Sequence, residues 1–177
     1  MAYARRYLSY NREKGEEMIV TRKQACELIA ESLNNDIELT GEKLEAVILA
    51  VNSDIQVRDW LMGLPNRWSL EEGIKLMQYM CVHAPSEDLV PFVTLQALYY
   101  YELGNTEKST MLLNYALRLD KDYSLAQLLL KVFTAGWPAE QFKTMRDGID
   151  PKIIEACYGP EGATTIKENG ELQYVNV

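Results

Sequence analysis

An all-α fold is predicted, a helical bundle closed by a small C-terminal β-hairpin. Three observations predict it. The run Leu89–Tyr101 carries no charge, and only Thr94 and Gln96 in it are strongly polar. A helix apolar on nearly every side belongs inside a bundle. Helix-start signals recur along the chain, with Thr21 and Gln24, then Ser69 and Glu72, at capping-box spacing. Only the tail changes period, where two strand-like runs flank Asn169-Gly170.

Residues 1–20 show no clean period, although Tyr3, Tyr7 and Tyr10 could share one helical face. They are read as an arm. The first helix opens at Thr21, carries Ala25, Leu28 and Ile29, and ends at Asn34-Asn35-Asp36. The second follows Thr40 with Leu44, Val47, Ile48 and Val51, and Asn52-Ser53-Asp54 breaks it. A short helix then carries Ile55, Val57, Trp60 and Leu61. In it Asp54 and Arg58 stand one turn apart and are expected to pair. Gly63 and Pro65 stop it. Ser69 opens a helix that runs through Ile74, Met77 and Met80 to about His83. Glu71 and Glu72 suit its positive end. Pro91 is tolerable only in a first turn, which starts the apolar helix near Asp88. Asn105 and Asp122 are expected to cap the next two helices. Met111, Leu112, Tyr115, Ala116 and Leu119 form the apolar stripe of the first, and the second ends at Gly136. Pro138 opens a short helix, and Asp150-Pro151 repeats the signal for a separate last one ending near Tyr158. In the tail, 164–168 and 171–175 form the hairpin strands, with Asn169-Gly170 as the two-residue turn. The expected organisation is an arm over 1–20, a helical domain over 21–158 and a tail over 159–177.

The net charge of −8 is uneven: residues 1–24 carry six Lys or Arg and three Glu, or +3, which leaves −11 for the rest. An acidic body argues against broad nucleic-acid binding by the fold. Arg5, Arg6, Arg12 and Lys14 on the arm are the candidate nucleic-acid contacts of an alternative reading. No apolar run approaches the ~20 residues of a membrane span, and no apolar stretch follows the first basic residues as in a secretory signal. Three spaced cysteines, Cys26, Cys81 and Cys157, argue against a disulfide framework. The expected setting is the reducing cytoplasm.

Catalytic chemistry is not found. His83 is the one histidine and sits near a helix C-terminus, where a cation is favoured without any catalytic role. No Cys-x-x-Cys pair, zinc spacing or phosphate loop occurs. Asp120-x-Asp122-x-Ser124 begins like a calcium loop, but Leu125 stands where the turn glycine belongs. Neither catalytic residue, metal nor cofactor is predicted. In Tyr99-Tyr100-Tyr101 successive side chains point about 100° apart, so at least one should face away from the core.

Gly104-Asn105 followed by Ala116-Leu117-Arg118-Leu119-Asp120 is similar to the second half of a tetratricopeptide unit. Ser109, Ala97 and Lys121 depart from that motif, and no second copy follows at the repeat period. One unit with accessory helices is expected, so the predicted core is tetratricopeptide-like. Over a longer stretch, Val57-Arg58-Asp59, Ala84-Pro85, Pro91 to Ala97, Gly104-Asn105, Ala116-Leu117, Asp120 to Ala126 and Ala135-Gly136-Trp137-Pro138 keep their order. This resembles the C-terminal helical half of the domain-of-unknown-function 4192 family of actinobacteria and their phages. The resemblance covers roughly residues 50 to 142, without the α/β half associated with full-length members. It implies a helical fold and no activity.

In a tetratricopeptide-like unit the inner face of the first helix lines a groove for ligand peptides. By that register Thr94, Leu98, Tyr101 and Glu102 would face a protein partner. The leading expectation is therefore a non-enzymatic protein-interaction module, acting through this groove or the hairpin edge, where a second copy could also pair. The alternatives are nucleic-acid association through the arm, or a phage or mobile-element protein that inhibits a host factor.

Overall fold

A computed structural model describes residues 20–159 together with 165–166 and 172–173. The chain divides into two compact units, Leu61–Asp150 and a second made of Met1–Trp60 with Pro151–Val177. Among the described residues eight α-helices carry the fold. No described helix is long and apolar enough to cross a membrane.

The terminal unit holds α1 (Arg22–Asn35) and α2 (Gly41–Ser53), which pack on each other. It also holds most of α3 (Ile55–Met62) and the end of α8 (Ala139–Tyr158). The Thr21 capping box forms in full: Gln24 N donates to Thr21 Oγ1 and Thr21 N donates to Gln24 Oε1. Asp36 ends α1 in the left-handed region with φ of 51°. Ala25, Cys26, Ile29, Val47, Val51 and Trp60 are buried.

The expected Asp54–Arg58 pair is corrected. Asp54 is buried and accepts from Arg22 Nε at 2.5 Å, from the start of α1. Its other oxygen accepts from Gln56 N at 2.9 Å, so one carboxylate caps α3 and neutralises a buried arginine. Arg58 reaches Asp59 instead, at 2.6 Å. Burial outweighs that guanidinium and pushes the Asp59 carboxyl above its ordinary value.

The central unit holds a 3-10 turn (Leu64–Asn66), α4 (Leu70–His83), a second 3-10 turn (Ser86–Asp88), α5 (Leu89–Glu102), α6 (Thr106–Leu119), α7 (Ser124–Thr134) and the first part of α8. α5 packs against α4, α6 and α7. This is why the uncharged run is buried continuously from Val90 to Tyr99 and again at Tyr101. Gly104 takes a φ of 81° in the three-residue connection to α6. So short a link makes α5 and α6 antiparallel neighbours. Asn105 caps α6 by accepting from Lys108 N at 3.1 Å. The Ser69–Glu72 box opens α4.

Two expected boundaries change. Tyr123, not Asp122, stands at the cap of α7 without a side-chain bond, and Asp122 pairs with Lys121 at 2.7 Å. The separate helix expected at Asp150-Pro151 is absent, because α8 runs 20 residues with Pro151 inside it. Proline there removes one intrahelical bond and would favour a break. The Asp150 carboxylate that would cap a new helix is instead held by Arg67 Nη1 at 3.0 and 3.2 Å.

Gly63 lies against that pair. A Cβ added to it would meet Asp150 Oδ1 at 2.1 Å and Arg67 Nη2 at 2.9 Å. Gly63→Ala should therefore cost about 1–3 kcal/mol by crowding this part-buried ion pair. Denaturant unfolding checks this, and an unchanged midpoint would refute it.

In the tail, Thr165–Ile166 pairs antiparallel with Leu172–Gln173. The rest of both expected strands, and the Asn169-Gly170 turn, lie outside the described residues. The register sets Ile166 opposite Leu172. A two-residue turn at Asn169-Gly170 would have set Ile166 opposite Gln173, so the pairing is offset by one residue from that expectation.

Candidate functional site

The four residues expected to line a groove come together, but inside the central unit. Thr94 and Leu98 are fully buried, and Thr94 Oγ1 donates to Val90 O within its own helix at 2.7 Å. Tyr101 is 5 % exposed, its ring is stacked on Phe133 with centroids 3.6 Å apart, and its hydroxyl donates to Trp137 O. Phe142 meets Phe133 edge-on at 5.7 Å. α7 and α8 thus fill the face that the register had left open. The open groove is corrected to a packed aromatic cluster. The physical reason is that stacking Phe133 on the Tyr101 ring, with Phe142 edge-on behind it, takes apolar aromatic surface out of water.

Glu102 shows why the register misled. Its side chain is 5 % exposed and accepts from Nη1 of Arg146, which is 1 % exposed. Arg146 Nη2 also donates to Asn66 Oδ1 at 3.0 Å and to Asp147 Oδ1 at 3.3 Å. Burial raises the Glu102 carboxyl above its ordinary value, and the Arg146 guanidinium opposes that rise. A cavity of about 190 Å³ opens beside the pair, lined by Glu102, Arg146, Lys143 and Glu140 with Pro65, Leu70 and Ala139. Two cations face two carboxylates there, and the buried pair neutralises itself.

The tyrosine run divides as three successive helical positions should. Tyr99 is fully buried, with its hydroxyl donating to Leu61 O at 2.5 Å, and burial pushes its phenol well above the usual range. Tyr100 faces outward, with the Lys108 ammonium 4.2 Å above its ring. His83 Nδ1 lies 2.8 Å from Tyr79 O, one turn back in α4, and its ring rests on Tyr79 with centroids 4.2 Å apart. The three cysteines are free thiols, and burial pushes Cys81 up to about 11. Among the described residues no group of three His, Cys, Asp or Glu gathers as a metal would need. Arg5, Arg6, Arg12 and Lys14 lie outside the described residues.

The exposed surface carries part of the stripe expected to be buried in α6. Met111, Tyr115 and Leu119 are 57 %, 38 % and 39 % exposed, while Leu113 and Ala116 are fully buried. The four-residue spacing fits either side of a helix, and only the position of α5 and α7 decides which side is inside. Arg118 lies over Tyr115 at 5.6 Å. In the terminal unit, a pocket of about 520 Å³ lies between the end of α1 and the start of α2.

A family model described as Domain of unknown function (DUF4192) matches residues 3–140. The match starts well before the stretch from about residue 50 that carried the resemblance, and takes in most of the arm, α1 and α2. No curated protein and no solved structure matches the chain.

Proposed function

We propose, for a chain that belongs to the DUF4192 family, a non-enzymatic role as a protein-interaction module. The observation that carries it is the apolar stripe Met111, Tyr115 and Leu119 on the outer side of α6. Three large side chains at i, i+4 and i+8 form a ridge of about two turns along the C-terminal part of α6. A partner helix or extended segment can bury such a ridge. Tyr115 is the natural anchor, since it contributes area at low entropic cost and keeps a polar tip.

In this reading α5 and α6 form one tetratricopeptide-like unit. Gly104 in the left-handed region, the Asn105 cap and the close of α6 at Asp120 support it. The unit has its inner face filled by α7 and α8, which moves the interaction surface to the outer helix. The pairing of Arg146 with Glu102, and of Arg67 with Asp150, supports a structural use of the buried charges. The described strand pair, two residues on each side, offers only a short edge for a second copy.

The test is a tagged pull-down from host lysate, with and without nuclease, comparing the native chain with Met111→Glu, Leu119→Glu. Both positions are exposed, so the variant should keep its melting temperature. The expected result is one protein retained through nuclease and reduced at least about tenfold in the variant, as loss of hot-spot contacts implies. A partner kept undiminished by the variant, or steady turnover of a small molecule, would overturn the reading.

A further inference from the structure

The pocket between α1 and α2 has a built shape. Leu39, 6 % exposed, and Leu28 form its apolar floor, and Ile37 at its edge is 59 % exposed. The connection that carries Ile37 is pinned to α1. Ser32 Oγ donates to Ile37 O at 2.5 Å, and Ile37 N donates back to Ser32 O at 3.0 Å. Glu31, Glu38 and Glu42 stand on the rim, all exposed, against Lys43 alone, so the pocket carries a net −2. An apolar floor under an acidic rim suits a segment that alternates aromatic rings with cations.

This chain holds one such segment. Residues 1–14 contain Tyr3, Tyr7 and Tyr10 among Arg5, Arg6, Arg12 and Lys14, with Glu13 as their only acidic residue, a net +3. The segment ends a short distance before α1. Glu31 stands roughly 15 Å along the helix from Thr21 at 1.5 Å per residue. The chain from Gly15 to Thr21 spans up to roughly 23 Å when extended. The arm can therefore lie back along α1 and reach the rim. The family match begins at residue 3, so most of the arm belongs to the matched domain.

We propose that residues 1–14 dock in cis on this pocket, with a tyrosine over Leu28 and Leu39 and the arginines against Glu31, Glu38 and Glu42. The proposal is independent of the α6 ridge and would stand or fall without it.

Trypsin, which cuts after Arg and Lys, reads the docking directly in the full chain. The native protein is compared with Glu31→Lys, Glu38→Lys and with Glu107→Lys, Glu155→Lys. The last pair changes the net charge equally at exposed positions outside the pocket. At low salt, cleavage at Arg5, Arg6, Arg12 and Lys14 should be slow in the native chain and in the outer control. It should be at least about tenfold faster in the pocket variant, and about 0.5 M salt should remove most of that difference through screening. Melting temperature reports that each variant is folded, and a conservative Glu31→Gln, Glu38→Gln variant should show an intermediate rate. Equal cleavage in all variants would overturn the proposal. So would equal acceleration by both lysine variants, or protection that grows with protein concentration, which means docking on a second copy.

Discussion

Replacing Arg146 by alanine should cost about 3–5 kcal/mol of stability at pH 8, because it leaves the Glu102 carboxylate buried without its counter-charge. Asn66 and Asp147 lose a donor in the same change. The loss should shrink as pH falls. The Glu102 carboxyl is already raised by burial, and Arg146 is the main group pulling it down. Without that cation the folded state binds a proton that the unfolded state has released. Stability in the variant then falls as pH rises through the interval between the two values, and recovers below it. The paired change Arg146→Met, Glu102→Leu removes both charges and should restore most of the loss, since an apolar pair of similar volume often replaces a buried ion pair without penalty. Urea unfolding at pH 5 and pH 8 measures all three chains. A loss under about 1 kcal/mol in Arg146→Ala at pH 8, well below the cost of breaking a buried ion pair, would mean that the pair is not buried in solution.

Asp88→Asn should stabilise the protein at pH 8 and flatten its stability against pH. Asp88 is 1 % exposed in the 3-10 turn before α5, and burial pushes its carboxyl from 3.8 up to about 7. The nearby N-terminus of α5 favours the ionised form, but desolvation wins. Between about pH 4 and pH 7 the folded chain holds a proton that the unfolded chain has lost, so stability falls as pH rises through that window. A displacement of this size is worth at most about 4 kcal/mol. The native chain should therefore be more stable near pH 5 than near pH 8 through this group, and the asparagine variant should lack that difference. Parallel stability curves for the two chains would show that Asp88 ionises freely. The same measurement separates this effect from Arg146, because the two substitutions move stability at pH 8 in opposite directions.

The helix starts at Thr21 and Ser69 were legible because a capping box is made by residues three apart, with no outside help. Burial of α5 was legible because a run with no charge has no other place to go. The long α8 was not, since Asp150-Pro151 reads locally as a new helix start, whereas the Asp150 carboxylate that would cap it is held by Arg67, 83 positions away. The side of α6 that faces solvent was equally hidden. Met111, Tyr115 and Leu119 have the spacing of a core stripe, and nothing in α6 itself says that Leu113 and Ala116 are the buried ones. The candidate groove failed for a related reason. Its register was sound in that all four residues share the packed side of α5, but Phe133 and Arg146, far along the chain, already cover Tyr101 and hold Glu102.

By itself, then, the amino-acid sequence determined the all-α class, most helix boundaries, the inner position of α5 and the contrast between a basic start and an acidic body. These are carried by periods, caps and composition, which act over a few residues. Tertiary structure alone decided which charges pair and which apolar residues remain outside. Arg22 meets Asp54 across 32 positions, Tyr101 meets Trp137 across 36, and Arg146 meets Glu102 across 44. A carboxylate encodes its need for a partner in its own chemistry, but the identity of that partner depends on where the helices bring distant side chains together.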